Sequence, residues 1–180
     1  MVKNAKGDKT YRTNLNEYKW DIFFEEFQKE TPRAAVILSG AFLDNLLRDL
    51  IGSFMIDNTK IVDELLGTEN VSEAPLSSFS ARIKTAYCLG LISKSEYDDL
   101  NLIKKIRNRF AHKLHGYTFD DQEIIMWCNS LLTPKFFKEA IPIVDKSHRD
   151  RYVFTVSMLA NQLGLHILAT QRERRTVKNS

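Results

Sequence analysis

Apolar side chains recur every three to four residues along almost the whole of this chain, which is the spacing of one face of an α-helix. Only 7 glycines and 4 prolines interrupt the pattern, and the hairpin dipeptides Asn-Gly and Asp-Gly are absent. The sequence therefore predicts an all-α fold, a single-domain bundle of about 6–7 helices. The predicted helical segments run over about 15–30, 32–56, 59–66, 77–89, 93 towards Gly116, 121–132, 134–140 and 148–172.

Residues that cap helices mark most of these boundaries. Thr31 precedes Pro32, whose missing N–H costs nothing in the first turn of a helix. The stretch Ser93-Lys-Ser-Glu96 has the spacing of a capping box. The helix over about 32–56 is apolar nearly all round, so we expect it to be central. Its Ser39-Gly40-Ala41 run predicts the close approach of another backbone.

The chain has 180 residues, which suits one domain with a sizeable core. We assign 1–13 to a disordered basic arm, 14–172 to the all-α domain and 173–180 to a basic tail. No apolar run is long enough to span a bilayer, and the polar start lacks a signal-peptide pattern. We therefore expect a cytoplasmic protein that has no membrane contact.

The cysteine pattern gives no reason to expect a cofactor or a metal. Cys88 and Cys128 lie far apart, each among apolar residues, which predicts reduced, buried thiols. No Cys/His spacing resembles a zinc site. Asp98-Asp99 and Asp120-Asp121 could offer carboxylates to a metal, but each pair also fits a solvated face or a helix cap.

The net charge of +3 is too small to indicate nucleic-acid binding by itself. Basic residues gather in the N-terminal arm, at the C-terminal end and in the segment 104–115, KKIRNRFAHKLH. The plain interpretation of the two terminal clusters is solvation. The middle cluster surrounds apolar residues of a helix, so we take its cations as candidates for binding phosphate or nucleic acid. These candidates are Lys104, Lys105, Arg109, Lys113 and His115.

The same segment holds a possible catalytic set, Arg107, Asn108 and His112. A guanidinium matches the geometry of a phosphate, and an imidazole can give and take a proton near neutral pH. Together they could cleave RNA without a metal, using the 2′-hydroxyl as the nucleophile. On an ideal helix, however, Arg107 and His112 lie roughly 140° apart, so they share a face only if the helix ends or tightens between them.

A structural interpretation of the same residues stays open. Cations in the last turn of a helix suit its dipole, and Gly116 is a natural helix stop. Ser78, Ser80, Arg82 and Lys84 resemble a phosphate-friendly helix start, but ordinary capping with a solvated face is the plainer interpretation. His166 lies in an apolar run, which is typical of a satisfied core or interface histidine.

Longer stretches carry a family resemblance. The segments SFSARIK, LGLIS, EYDDL and IRNRFAH follow each other in residues 75–112, with ETPRAAVILSGAFLDNLLRDLI before them and FDDQEI after them. In order and spacing, over roughly 30–125, they resemble the mannitol-operon repressor family. The resemblance implies an all-α bacterial transcriptional regulator without an evident DNA-reading element, which acts through a partner protein.

A second, shorter resemblance concerns Arg107-Asn108-x-x-x-His112, which is similar to the R-x4–6-H motif of HEPN domains. Many HEPN domains are dimeric, metal-independent ribonucleases, and others bind partners or nucleotides without catalysis. The resemblance implies that Arg107 stabilises a phosphate, that His112 acts as acid or base and that Asn108 orients them. A cleft between two subunits would relax the angular objection.

Two functions therefore compete. The longer resemblance favours a dimeric helical regulator that binds a partner protein, with direct sequence-specific DNA binding not expected. The alternative is a HEPN-type endoribonuclease, a toxin or defence effector acting on RNA through Arg107 and His112. A third interpretation is a scaffold whose apolar seam, Val153 to Ile167, packs against another chain.

Overall fold

The computed structural model describes residues 25, 27, 29–67, 73–112, 116–137 and 147–178. The predicted arm over 1–13, most of the first predicted helix, Lys113 and His115 lie outside these residues. Within them every regular element is an α-helix, which confirms the all-α prediction. Seven helices are complete: α1 Pro32–Phe54, α2 Thr59–Leu66, α3 Phe79–Cys88, α4 Lys94–His112, α5 Gln122–Ser130, α6 Thr133–Phe137 and α7 His148–Thr170.

The helix boundaries follow the predicted caps. Thr31 Oγ1 accepts a hydrogen bond from the Ala34 N–H at 3.3 Å, and Pro32 is the first residue of α1. The capping box before α4 is present in both directions. The Ser93 N–H donates to Glu96 Oε2 at 2.6 Å, and the Glu96 N–H donates to Ser93 Oγ at 3.3 Å. These local contacts place the helix starts without help from the rest of the fold.

α1 is the central helix, as predicted, and α7 runs parallel to it along its length. The hydroxyls of Ser39 and Tyr152 lie 2.8 Å apart near the two N-terminal ends. Beyond the C-terminal end of α7, the Arg175 N–H donates to the Phe54 carbonyl oxygen at 3.1 Å. The side chains buried between and around the two helices include Leu43, Leu46, Leu47, Leu50, Val156, Leu159, Leu163 and Ile167.

α4 runs antiparallel to α1 and carries a helix on each side. On one side α3 forms a hairpin with it, as the rings of Tyr87 and Tyr97 have centroids 4.6 Å apart. On the other side α5 also runs antiparallel to it. The face of α4 that points to α1 buries Leu100, Ile103, Ile106 and Phe110, which is the predicted apolar stripe. α3 and α4 therefore pack on the central helix, and α5 packs beside α4 and against α7.

The apolar seam of α7 is an internal surface. Val156, Ala160, Leu163 and Ile167 are buried within the chain, so the idea that this seam packs against another chain is wrong. α7 is also long and apolar enough to cross a membrane by length and composition alone. That finding is weak evidence, because a core helix passes the same test, and α7 packs along α1.

Two further expectations are corrected by the packing. The Ser39-Gly40-Ala41 run admits a side chain rather than a backbone, because a Cβ on Gly40 would lie 2.5 Å from Arg107 Cδ. Cys88 is exposed, whereas Cys128 is buried, and burial raises the pKa of the Cys128 thiol to about 12. The helical period alone does not show which side of a short helix such as α3 faces the core.

The predicted basic tail makes specific contacts with the end of α1. Arg174 Nη1 lies 2.9 Å from Asp57 Oδ1, and Arg174 Nε donates to the Ser53 carbonyl oxygen at 3.3 Å. The Arg175 guanidinium stands 4.6 Å from the centroid of the Phe54 ring. α1 has no basic residue of its own in its last turn, so these arginines offset the negative end of its dipole.

Candidate functional site

α4 carries all the described candidate residues of the 104–115 segment, and it is one uninterrupted helix from Lys94 to His112. A helix ending between Arg107 and His112, which the sequence left open, does not occur. The charged side chains of α4 therefore point in different directions around a regular helix, and each must be considered by its own contacts.

Arg107 points inward to α1. Its side chain lies against Gly40, and its Nε is buried without a hydrogen-bond partner among the described residues. It is close enough to Asp44 to affect that carboxyl group. Burial raises the pKa of Asp44 above its ordinary value, and the positive charges of Arg82 and Arg107 act in the opposite direction. Arg107 thus serves as a packing residue and an internal counter-charge between α4 and α1.

His112 and Asn108 are exposed, and His112 is the last residue of α4. Five helical steps separate Arg107 from His112, which places the two side chains roughly 140° apart. Within one chain, the structure therefore does not bring the guanidinium and the imidazole onto one face. The arrangement gives no support to a ribonuclease site built by a single chain.

Arg109 is occupied by contacts with the segments that follow α4. Its Nη2 lies 2.5 Å from Glu123 Oε2 on α5, and its guanidinium stands 5.4 Å from the centroid of the Tyr117 ring. The positive charge is therefore already balanced by a carboxylate. Arg109 therefore forms a surface ion pair that links α4 to α5, and this role fits its contacts better than the binding of an external anion does.

Lys104 and Lys105 keep their charges available. Among the described residues, the contacts of Lys104 Nζ are with neutral groups, Ser80 Oγ at 3.2 Å and Asn101 Oδ1 at 2.9 Å. Burial lowers the pKa of Lys104, and the neighbouring charge of Lys84 acts in the same direction. Lys105 Nζ stands 4.3 Å from the centroid of the Trp127 ring. We call Lys84, Lys104 and Lys105 the lysine face, which spans the outer surface of α3 and α4.

The sequence did not predict the role of Asp99. It is fully buried, and its carboxylate accepts hydrogen bonds from Leu132 N–H at 2.7 Å, Thr133 N–H at 2.8 Å and Thr133 Oγ1 at 2.7 Å. It therefore caps the start of α6 from another helix. The spacing of Asp99 from Ile103 and Ile106 on the buried face was the available signal for its burial.

Arg82 is likewise structural rather than a phosphate ligand. Its Nη1 lies 2.8 Å from Asp44 Oδ1, and its Nη2 donates to the Leu66 carbonyl oxygen at 2.8 Å. Its Nε donates to the Leu76 carbonyl oxygen at 2.9 Å. One buried guanidinium thus joins α1, α2 and the start of α3. In the described part of the chain, no group of three or more His, Cys, Asp or Glu side chains could hold a metal ion.

His166 and Glu96 connect α7 to the capping box of α4. His166 Nε2 lies 2.8 Å from Glu96 Oε1. The hydrogen bond to Glu96 raises the pKa of His166 above its ordinary value, against the effect of burial. Burial would raise the pKa of Glu96, but hydrogen bonds with His166 and Ser93 hold it below its ordinary value. His166 is thus a satisfied histidine, half-exposed rather than in the core.

We expect this pair to make stability depend on pH. Because the folded-state pKa of His166 is raised, its contribution is fully present below the ordinary value of about 6.5 and is lost as pH rises through the raised pKa. The His166→Ala variant should lose this dependence, which amounts to less than about 1 kcal/mol because solvent screens a half-exposed ring. Urea unfolding between about pH 6 and pH 9 measures it. His148→Ala is the control, and an unchanged slope in His166→Ala would contradict the assignment.

This chain is similar to proteins of one known family. Its sequence matches the family model for MtlR, the mannitol repressor, over residues 21–179. The mannitol operon repressors of Escherichia coli strain K12 and of strain O6:H1 CFT073 are each 38% identical to it over 53 residues. These segments cover 29% of this chain and only 27% of each relative.

One solved structure shares the fold. It is the X-ray structure of the MtlR–HPr complex from Escherichia coli, which matches with a TM-score of 0.63 and 21% sequence identity. The match covers 80% of this chain and 97% of that chain. The HEPN resemblance receives no support from these comparisons. The family model, which covers most of the sequence, confirms the longer resemblance: this chain belongs to the mannitol repressor family.

Proposed function

We propose that this protein is a transcriptional regulator that acts by binding a partner protein rather than by reading DNA itself. The observation that carries the proposal is the match of the fold to nearly the whole of an MtlR chain, which was solved in complex with HPr. The membership of the mannitol repressor family agrees with a regulatory role. We therefore propose that this chain, too, regulates transcription and binds a partner protein. We expect it to act in the cytoplasm.

The packing of the long helices agrees with this proposal. A helix that reads DNA presents one face to the major groove while its other face packs on a neighbouring helix. α1 is buried along most of its length, and α7 packs along it. On the outer face of α4, Arg109 is paired with Glu123, so its guanidinium is not available to a DNA phosphate. The described helices thus favour a contact with a protein surface over insertion into a groove.

We also propose that the functional unit is a homodimer. The outer side of α7 exposes two large apolar side chains one turn apart, Leu165 with 66% and Leu168 with 48% of their surface accessible. Exposed apolar residues grouped on one helix face are a feature of subunit interfaces. Light scattering on the purified protein tests this part, because Leu165→Glu should convert a dimer to a monomer. A monomeric wild type would contradict it.

The partner proposal is tested by titrating purified HPr into the full chain in a calorimeter. We expect saturable binding with a dissociation constant in the micromolar range or below, which interfaces of standard size span. His112 is exposed at the end of α4, and it points to a different side of the helix from Arg107, so the two residues form no catalytic pair. The His112→Ala variant should therefore bind HPr as the wild type does. The outcomes that contradict the proposal are a flat titration with HPr and sequence-selective binding of mannitol operator DNA by the pure protein.

A further inference from the structure

The lysine face lacks the carboxylate partners that several other cations of the described helices have. Arg48 pairs with Asp63, Lys94 pairs with Asp98, and Arg109 pairs with Glu123. In contrast, no carboxylate of the described chain lies within ion-pair distance of Lys84, Lys104 or Lys105. The three positive charges therefore remain unbalanced within the monomer, although nearby cations on the same helix are paired.

The lysine face is also held in place by neutral contacts. Ser80 on α3 and Asn101 on α4 fix the ammonium group of Lys104 at 3.2 Å and 2.9 Å. The Trp127 ring on α5 supports the ammonium group of Lys105 at 4.3 Å. Ordering long side chains costs conformational entropy, so contacts that order them in advance reduce the cost of binding a partner.

Like charges held together are unfavourable in the free protein. Lys104 contacts Ser80, which lies one turn before Lys84 on α3, so the two ammonium groups lie near each other. Burial lowers the pKa of Lys104, and the charge of Lys84 acts in the same direction. Negative groups on a binding partner would remove this repulsion and would be attracted by all three lysines. We infer that the lysine face is the docking surface for an acidic segment of a partner protein.

The composition of the face favours an acidic protein segment over nucleic acid. Three lysines can balance two or three carboxylates of a short segment. A protein that binds the phosphate backbone of DNA tightly makes about 6–10 phosphate contacts. Many of these contacts are made by arginine, whose planar guanidinium matches a phosphate. The nearest described arginines are engaged elsewhere, because Arg109 is bound to Glu123 and Arg107 points to α1. The lysine face therefore has too few positive charges, and no available arginine among the described residues, to suit a nucleic-acid surface.

This inference rests on the proposed function only in that a regulator of this kind needs a contact surface for its partner. It is therefore tested with a separate probe, a fluorescent oligoglutamate peptide, whose binding to the full chain is followed by anisotropy at low and moderate salt. The test variant is Lys104→Glu/Lys105→Glu. The control is Lys60→Glu/Lys135→Glu, which makes the same change of charge at two exposed positions on α2 and α6.

We expect the test variant to bind the peptide about tenfold more weakly than the wild type, and the control to stay within about twofold. Added salt should weaken the binding of the wild type and the control, but change that of the test variant little. The affinity of the neutral variant Lys104→Gln/Lys105→Gln for the peptide should lie between those of the wild type and the test variant. Thermal unfolding identifies any variant that loses its fold. A folded neutral variant keeps the test valid if the charge-reversed one fails to fold.

Two results would overturn the inference. One is an equal loss of peptide binding in the test and control variants, or no loss in either. The other is tighter binding of DNA: a short duplex would bind the wild type about tenfold more tightly than the peptide does, and the test variant would no longer bind that duplex. Neither result bears on HPr binding, and a failure to bind HPr leaves the peptide result standing, so the two proposals fail separately.

Discussion

The Phe110→Ala variant should lose about 4 kcal/mol of its free energy of unfolding, in the range that large aromatic truncations in a core produce. Only 1% of the Phe110 side chain is accessible. Its ring lies 5.9 Å from that of Tyr117 and 5.8 Å from that of Phe119, and the Phe119 ring lies 5.3 Å from that of Tyr152 on α7. The truncation would leave a cavity and remove the ring contacts with Tyr117 and Phe119. Urea unfolding followed by circular dichroism measures the change.

The control for this prediction is Phe136→Ala, which removes the same atoms from a side chain with 70% of its surface accessible. We expect a change of at most about 0.5 kcal/mol, as for most surface substitutions. If the two phenylalanine variants lose similar amounts of stability, then the aromatic cluster does not hold α4 to the segment that follows it. The last turn of α4, which carries His112, depends on this anchor.

A second large effect is expected at Asp99. Replacing Asp99 with alanine removes the acceptor of three hydrogen bonds. The part-buried N–H of Leu132 and the buried N–H of Thr133 then have no acceptor. Unsatisfied buried donors and a lost helix cap each cost stability, so we expect a loss of about 3 kcal/mol. Urea unfolding measures it, and the amide protons of Leu132 and Thr133 should exchange with solvent faster in the variant.

The neighbouring residue supplies a matched control. Asp98 has the same side chain, one position earlier, but it pairs on the surface with Lys94. Exposed pairs of this kind contribute little because solvent screens them, so Asp98→Ala should remain close to the wild type in stability. The reverse order of the two variants would show that Asp99 does not cap α6. It would also reopen the question of what the Asp98-Asp99 pair does.

The difference between Asp98 and Asp99 shows how far sequence reasoning reaches. The helical period places them 100° apart on α4, which is enough to bury one and expose the other. It does not say that the groups meeting Asp99 belong to Leu132 and Thr133, because 33 and 34 residues separate them. Arg82 is a similar case, since its partners Asp44 and Leu66 are brought to it only by the packing of α1, α2 and α3.

For the motif Arg107-Asn108-x-x-x-His112, too, the sequence predicted some features and not others. Its spacing predicted that Arg107 and His112 would not share a face of a regular helix, and α4 continues to His112 as a regular helix. The sequence did not indicate that Arg107 would fill the space beside Gly40, because that contact joins two helices distant in the chain. Nor did it separate Arg109, which is bound to Glu123, from Lys104 and Lys105, which are not bound to a carboxylate.

The sequence by itself determined the all-α class, the positions of the helices and the apolar stripe of α4. Caps, helix stops and the apolar period act over a few residues, so they can be recognised without knowing the fold. The family resemblance was also present in the order of short segments. Only the tertiary structure decided which charges are paired, which polar groups are buried and which lysines are left for a partner. Those outcomes depend on contacts between helices far apart in the chain, and burial changes the energy of a charge as strongly as its identity does.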